Sequence, residues 1–355
     1  MSTVIVTSET ARQPKSERRK RGWLFKTKRG LIWLGIGSLA LCGLGATYQT
    51  IATETDKRNF PAPGQMVDIG GYRLHLLVTG RSTDAPTVIL EAGTLAFSSY
   101  WAWVQPQISK FTRVVAYDRA GLGWSDPGPQ PRDAEHIAAE LHTALQAAGI
   151  QPPYVLVAHS QGGLYAPVFA HLYPDEVAGL VLVEPQHPSA FEGSPEAQKM
   201  KQGSQFIGRY GPWLARLGLS RFMGSLFLKE ADGTPLALPP EQLAELAALI
   251  PTVQMARANS GEVAAWETLT FPEVRAVTSL GDTPLIILSG SRSFGDSWVA
   301  AQAEYAALST NSLHQIVAGA THGSLLTTQE GAAVVVEAVR QVIESARTGR
   351  LLASE

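Results

Sequence analysis

Short, nearly unbroken apolar runs recur along this chain, each stopped by glycine, proline or a charged residue. Residues 87–91, 113–118, 154–157, 177–183 and 284–290 are of this kind, and 314–317 is a shorter one. Their Val, Ile and Leu content predicts strands buried on both faces. Between them the apolar positions change to helical spacing, as at Leu164, Val168 and Phe169 and in the amphipathic stretch 329–346. Strands alternating with such helices predict an α/β fold, a mostly parallel twisted sheet flanked by helices and joined by right-handed crossovers. Ahead of them, residues 66–69 and 72–78 flank Gly70 and Gly71, which predicts a hairpin.

From residue 185 to 282 no strand is readable, while residues 198–210, 213–228 and 240–255 have helical periodicity. Irregular loops of that length are rare in compact domains. A helical cap inserted after the sixth strand is therefore expected, covering the strand ends and shielding them from water.

The amino end has a third pattern. No residue from 30 to 53 is charged, and residues 31–48 are dominated by Leu, Ile, Trp, Ala and Gly. About eighteen such residues suffice to cross a bilayer as one helix. Of the 29 Lys and Arg, nine fall within residues 1–29, against two of the 31 Asp and Glu. Positive charge ahead of an apolar helix predicts a cytoplasmic amino terminus and export of the chain beyond Glu54. The expected plan is a basic cytoplasmic arm (1–29), a single-pass transmembrane helix (30–53), a linker (54–65), a globular domain (66–347, its cap at 185–282) and a tail (348–355). A cleaved signal peptide, which the long leading arm disfavours, and a buried core helix are the alternatives. The remaining 20 basic and 29 acidic residues make a mildly acidic body and argue against nucleic acid as a partner. Cys42 is the single cysteine, so no internal disulfide braces even an exported domain.

Candidate chemistry starts at residues 154–163. A strand from Tyr154 to Val157 and a helix from Gly163 leave only residues 158–162 to turn the chain. So sharp a turn pushes its central residue, Ser160, toward positive φ and requires small neighbours two positions either side, which Ala158 and Gly162 supply. The serine hydroxyl is then exposed at a strand's carboxyl end, beside helix N–H groups that favour developing negative charge. An ordinary serine N-cap is the bland alternative. Ser160, Glu184 and His322 all fall at carboxyl ends of predicted strands, where sites gather in such sheets.

With these residues the chain resembles the α/β-hydrolase superfamily, and within it serine esterases and related hydrolases. The resemblance covers roughly residues 66–347. It is carried by Glu91 to Thr94, Asp118 to Ser125, Ala158 to Gly162, the strand end Leu182 to Pro185, and Thr321 to Gly323. Two positions depart from the family: Ala158 stands where glycine is usual, and Ala92-Gly93 replaces the usual His-Gly. The resemblance implies a Ser-His-acid triad and an acyl-enzyme, with Asp118 and Arg119 in a structural turn.

A neutral serine hydroxyl needs a base and a group orienting that base. His322, between Thr321 and Gly323 after the last strand, is the expected base. His159 is read as packing, and His187 as a pocket-lining residue at most. For the acid, relatives imply either a residue after the strand 284–289, here Asp296, or one at the end of the strand after the serine helix, here Glu184. Position favours Glu184, directly after Val183 and fixed by Pro185; Asp296 is equally readable as a helix N-cap. The amides of Gln161 and Thr94 are the expected oxyanion donors. No histidine pair has metal-ligand spacing with a supporting carboxylate, so no metal and no cofactor is expected. The expected substrate is a small-molecule ester or similar acyl compound, with an apolar group to suit Trp213, Phe222, Phe227 and Trp266 of the cap. An amide or carbon–carbon bond hydrolase, with Glu230, Glu241 or Glu245 holding an amine, and a non-catalytic ligand binder are the alternatives.

Overall fold

The computed structural model describes residues 3–5, 15–193, 195–230 and 233–353. Residues 1–2 and 6–14 of the expected basic arm, and 354–355 of the tail, lie outside them. Eight strands form one sheet: β1 (Gln65–Asp68), β2 (Arg73–Thr79), β3 (Thr87–Glu91), β4 (Val114–Tyr117), β5 (Tyr154–His159), β6 (Val177–Val183), β7 (Leu285–Gly290) and β8 (Ser312–Val317). Their spatial order is β1-β2-β4-β3-β5-β6-β7-β8. The β1–β2 hairpin and the β2–β4 pair are antiparallel, and every pair from β4 through β8 is parallel. β3, β4 and β5 are buried at every position, because both sheet faces are covered.

The amino-terminal helix α1 (Lys15–Asn59) is 45 residues long. Its segment Thr27–Asn59 is long and apolar enough to cross a membrane, with mean hydropathy 1.6 and none of the apolar window buried. At about 1.5 Å per residue such a helix outreaches a hydrocarbon layer of roughly 30 Å. The expected linker from residue 54 is still helical through Asn59. Side-chain contacts explain this: Asp56 pairs with Arg221 at 2.7 Å, Arg221 also donates to Gln49 at 3.0 Å, and Gln49 donates to the Pro251 carbonyl at 3.0 Å.

Helices α2 (Ala134–Ala147) and α3 (Gly162–Leu172) cover one face of the sheet. There Ile137, Leu141, Leu164 and Phe169 pack against Ile89, Leu156 and Leu182. On the opposite face, Val335, Val339 and Val342 pack against Val88, Val155 and Val181. Helix α3 carries Pro167 in its interior. Proline has no N–H to give to the carbonyl four residues back, and that carbonyl, of Gly163, instead accepts the Tyr305 hydroxyl at 2.9 Å.

Between β6 and β7 come α4 (Pro195–Arg216), α5 (Pro240–Leu249) and α6 (Val253–Ala265), with shorter turns between them. Sequence spacing predicts separate helices over 198–210 and 213–228. The structure instead runs one helix through Pro212 to Arg216 and breaks at Gly218, whose φ is 75°. Packing of α4 along α6, where Gly208 lies against Val263, outweighs the local cost of an internal proline. Beyond β7 lie α7 (Asp296–Ala303) and α8 (Gln329–Thr348), the latter carrying the three valines that cover the second sheet face.

Candidate active site

The turn between β5 and α3 holds Ser160 at φ 52°. Its amide donates to Val183 O at 3.1 Å, while its carbonyl accepts from Gly163 at 2.9 Å and Gln186 at 2.8 Å. Small residues make the turn possible. A Cβ on Gly162 would lie 2.7 Å from the Glu91 carbonyl, and one on Gly93 would lie 3.0 Å from the Ser160 Cβ. Only three non-glycine residues among those described have a left-handed backbone: Leu95 (54°), Ser160 (52°) and Glu184 (49°). Such strain costs on the order of 1 kcal/mol apiece and collects where surrounding structure enforces it. Here Ser160 and Glu184 meet at one point, and Leu95 directly follows Thr94 of the adjoining cavity wall.

That point is a chain of hydrogen bonds. His322 Nε2 lies 3.0 Å from Ser160 Oγ, and His322 Nδ1 lies 3.0 Å from Glu184 Oε2. Glu184 is fully buried; it also accepts from the Gly290 amide, and from Trp298 Nε1 at 3.3 Å. Burial alone would raise its pKa, but the hydrogen bond and charge of His322, with the Gly290 N–H, hold it below the usual carboxylate value. The rings of Phe294 and Trp298 stand 5.0 and 6.0 Å from the His322 ring and limit its movement. Asp296 is exposed in the first turn of α7, and no described hydrogen bond or ion pair joins it to His322. Gly295, not Asp296, holds the N-cap position. An aspartate that close to Trp298 in sequence faces the opposite way, because α7 turns Trp298 inward.

His159 sits under the site. Its Nε2 lies 3.0 Å from the His322 carbonyl, and burial, reinforced by repulsion from His322, pushes its pKa down to about 3. It is therefore a neutral donor holding the His322 backbone. His187 contacts Ser189 and Glu304 and does not line the cavity beside Ser160.

Sequence reasoning missed Glu262 and the pairings that Glu91 and Glu230 make around the site. Arg119, buried, donates to Glu91 at 2.7 Å and to Glu262 at 2.8 Å, and also to the carbonyls of Ala92 (2.5 Å) and Gly93 (2.9 Å) just before Thr94. Glu262 in α6 also accepts from the Gln161 side-chain amide at 2.9 Å, and Gln161 accepts the Thr94 hydroxyl at 2.6 Å. One buried network thus joins the two turns that carry Thr94 and Gln161. The backbone N–H groups of these two residues have no partner among the described backbone hydrogen bonds. Glu230, from the cap, binds the Thr321 hydroxyl and accepts from the Gly323 amide at 3.3 Å, so it grips both neighbours of His322. Only the abundance of carboxylates in the cap hinted at these roles.

A cavity of about 230 Å³ opens beside Ser160 and His322, walled by Thr94, Tyr100, Met200, Leu236 and Phe294. A larger one, about 720 Å³, lies between the end of α1 and the Ala120–Arg132 loop and contains none of these chemical groups.

Residues 86–328 match the α/β-hydrolase fold family. The chain belongs to that family. An uncharacterized protein of Schizosaccharomyces pombe is 32% identical over 199 residues, 47% of this chain and 36% of that protein. An AB hydrolase superfamily protein of Gibberella zeae is 35% identical over 103 residues, 28% of this chain and 32% of that one. The α/β-hydrolase thus spans about a third of the length of these relatives. Among solved structures, the epoxide hydrolase CorEH is similar with TM-score 0.66 and 21% identity, over 78% of this chain and 96% of its own. An esterase of Thermogutta terrifontis is similar with TM-score 0.58 and 19% identity, over 79% and 98%. At such identities the likeness is one of fold, and the α/β-hydrolase assignment rests on the family match.

Proposed function

We propose that this hydrolase cleaves a carboxylic ester or similar acyl compound through an acyl-enzyme on Ser160. The observation that carries the reading is the unbroken run of hydrogen bonds from Ser160 Oγ through both His322 nitrogens to the buried Glu184. His322 takes the serine proton as Oγ attacks the acyl carbon, and the imidazolium so formed is stabilised by the Glu184 carboxylate. The tetrahedral oxyanion meets the backbone amides of Gln161 and Thr94. Collapse expels the alcohol, protonated by His322; water then attacks the acyl-enzyme by the same route and releases the acid.

Serine at the elbow favours this chemistry over the aspartate-nucleophile chemistry of epoxide hydrolases and haloalkane dehalogenases in the same fold. Glu230 has its carboxylate engaged by Thr321, Gly323 and Thr327, which leaves it ill placed to hold a substrate amine, as an aminopeptidase-like reading requires. Helix α1 is read as a single-pass anchor with the basic arm in the cytoplasm and the catalytic domain on the other side.

A fluorophosphonate probe incubated with the full chain should label Ser160. Ser160→Ala should abolish labelling and lower kcat/KM on nitrophenyl esters by roughly 10⁴–10⁶-fold. An unlabelled wild type, or a Ser160→Ala variant as active as wild type on every ester, would overturn the reading.

A further inference from the structure

Outside α1, exposed large apolar side chains concentrate on α4 and the turn after it. Phe206, Tyr210 and Trp213 repeat at helical spacing on α4, and Phe222, Met223 and Leu226 follow in the turns beyond Gly218; Trp213 is 71% exposed and Phe222 80%. The α4 set occupies one helix face, and the second set sits on the short turns that follow it. Contiguous exposed apolar surface of this kind marks a contact with something other than water.

Its continuity with α1 identifies the covering. The Tyr48 ring lies 6.4 Å from the Phe222 ring. Gly45 meets Leu217 so closely that a Cβ there would stand 2.3 Å from the Leu217 carbonyl. Whatever depth α1 takes in a bilayer, Phe222 and Leu217 share it. Gly45 and Tyr48 belong to the last apolar turns of α1, before the first charge at Glu54, so that depth is the lipid–water boundary. Aromatic rings with polar edges suit this boundary, and α4 adds Lys199, Arg209 and Arg216, which suit anionic headgroups. On its other side α4 offers Met200 and Ser204 to the cavity beside Ser160. One helix thus separates the exposed apolar face from the site.

We propose that α4 and the turn after it lie in the bilayer surface, and that the Ser160 cavity receives from that leaflet an ester carrying a long acyl chain. This deepens the anchored-hydrolase reading and rests on it.

The test uses the full chain in nanodiscs of phosphatidylcholine and phosphatidylglycerol. In a Cys42→Ser background, single variants Trp213→Cys, Phe222→Cys, Leu39→Cys and Lys110→Cys carry a nitrobenzoxadiazole label, with or without doxyl-labelled lipid. Strong quenching at positions 213, 222 and 39, with little at 110 near the amino end of β4, is expected. A position 39 that escapes quenching would mean that the anchor reading itself fails. Quenching at 39 with 213 and 222 as unquenched as 110 would overturn the surface proposal alone, and so would shielding of 213 and 222 that ignores the doxyl lipid, as a second copy or a protein partner would produce. In parallel, the double variant Trp213→Ser, Phe222→Ser should lose at least about tenfold in hydrolysis of umbelliferyl oleate dissolved in the nanodisc, with umbelliferyl acetate hydrolysis and melting temperature unchanged. Equal rates on oleate, or equal losses on both esters, would overturn the proposed route of supply. A wild type inert toward both esters would count against the hydrolase reading, leaving the label result to judge the surface.

Discussion

Trp298 and Trp213 are both helical tryptophans, one beside His322 and one on the cap, and their surroundings are opposite. Trp298 is fully buried, turns its edge toward His322 and donates to Glu184. Trp213 is 71% exposed on the outer face of α4. At the sheet edge, position is dictated by buried polar groups that must all find partners, so each side chain has one place to be. In the cap, Phe206, Tyr210 and Trp213 of α4 face outward, where the proposed docking brings them to lipid. The same residue type therefore reports interior order in one region and an external surface in the other.

The sharpest way to break this contrast is at the acid. Glu184→Gln should lower kcat by about 10⁴-fold, as expected when the group orienting a catalytic histidine loses its charge, while Asp296→Asn should change it less than about twofold. Reversed results in nitrophenyl ester kinetics would move the orienting role to α7. Next comes stability. Trp298→Ala should cost about 3–5 kcal/mol in denaturant unfolding, the usual range for a large buried aromatic; a loss below about 1 kcal/mol would mean that this wall is not the rigid one.

A pH titration sharpens the same point. His159 stays neutral in the folded state with its pKa pushed down to about 3, whereas in the unfolded chain it takes a proton near pH 6.5. The unfolded state therefore binds more protons between those values, so the stability this histidine contributes is present above about pH 6.5 and is lost as pH falls toward 3. The loss should amount to a few kcal/mol, at about 1.4 kcal/mol per unit. His159→Gln should flatten that slope in thermal melts. Smallest of all, Trp213→Ser should alter unfolding free energy of the detergent-solubilised chain by no more than about 0.5 kcal/mol; a larger loss would show that Trp213 is packed within the protein after all.

How far these features were readable beforehand differs between the same two regions. Strands β3 and β6 were legible residue for residue, since burial on both faces leaves an uninterrupted apolar run between breakers. The turn at Ser160 was legible because its geometry restricts residue types locally, to Ala158 and Gly162. The structure brings His322 and Glu184 to that serine, as the order of strand ends implied. Position at a strand end, fixed by Pro185, favoured Glu184 over Asp296, whereas the direction in which α7 turns Asp296 was not open to local reasoning. Glu262 and Glu230 were equally hidden: their partners Arg119 and Thr321 lie 143 and 91 residues away, and nothing near either glutamate announces the pairing. In the cap, local signals misled. Pro212 reads as a break, yet packing on α6 carries the helix through it. The polar stretch after residue 53 reads as a flexible tether, yet Arg221 holds Asp56 in a continued helix.

That last clasp has a mechanical meaning. A flexible tether would let the globular domain sample many heights and tilts above a membrane, whereas a helix clasped to the cap through Asp56, Gln49 and Arg221 behaves as a stiff post. On the proposed anchoring, Ser160 stands at one set elevation, and reach toward the bilayer becomes a matter of where substrate sits among the lipids instead of how far the enzyme can bend.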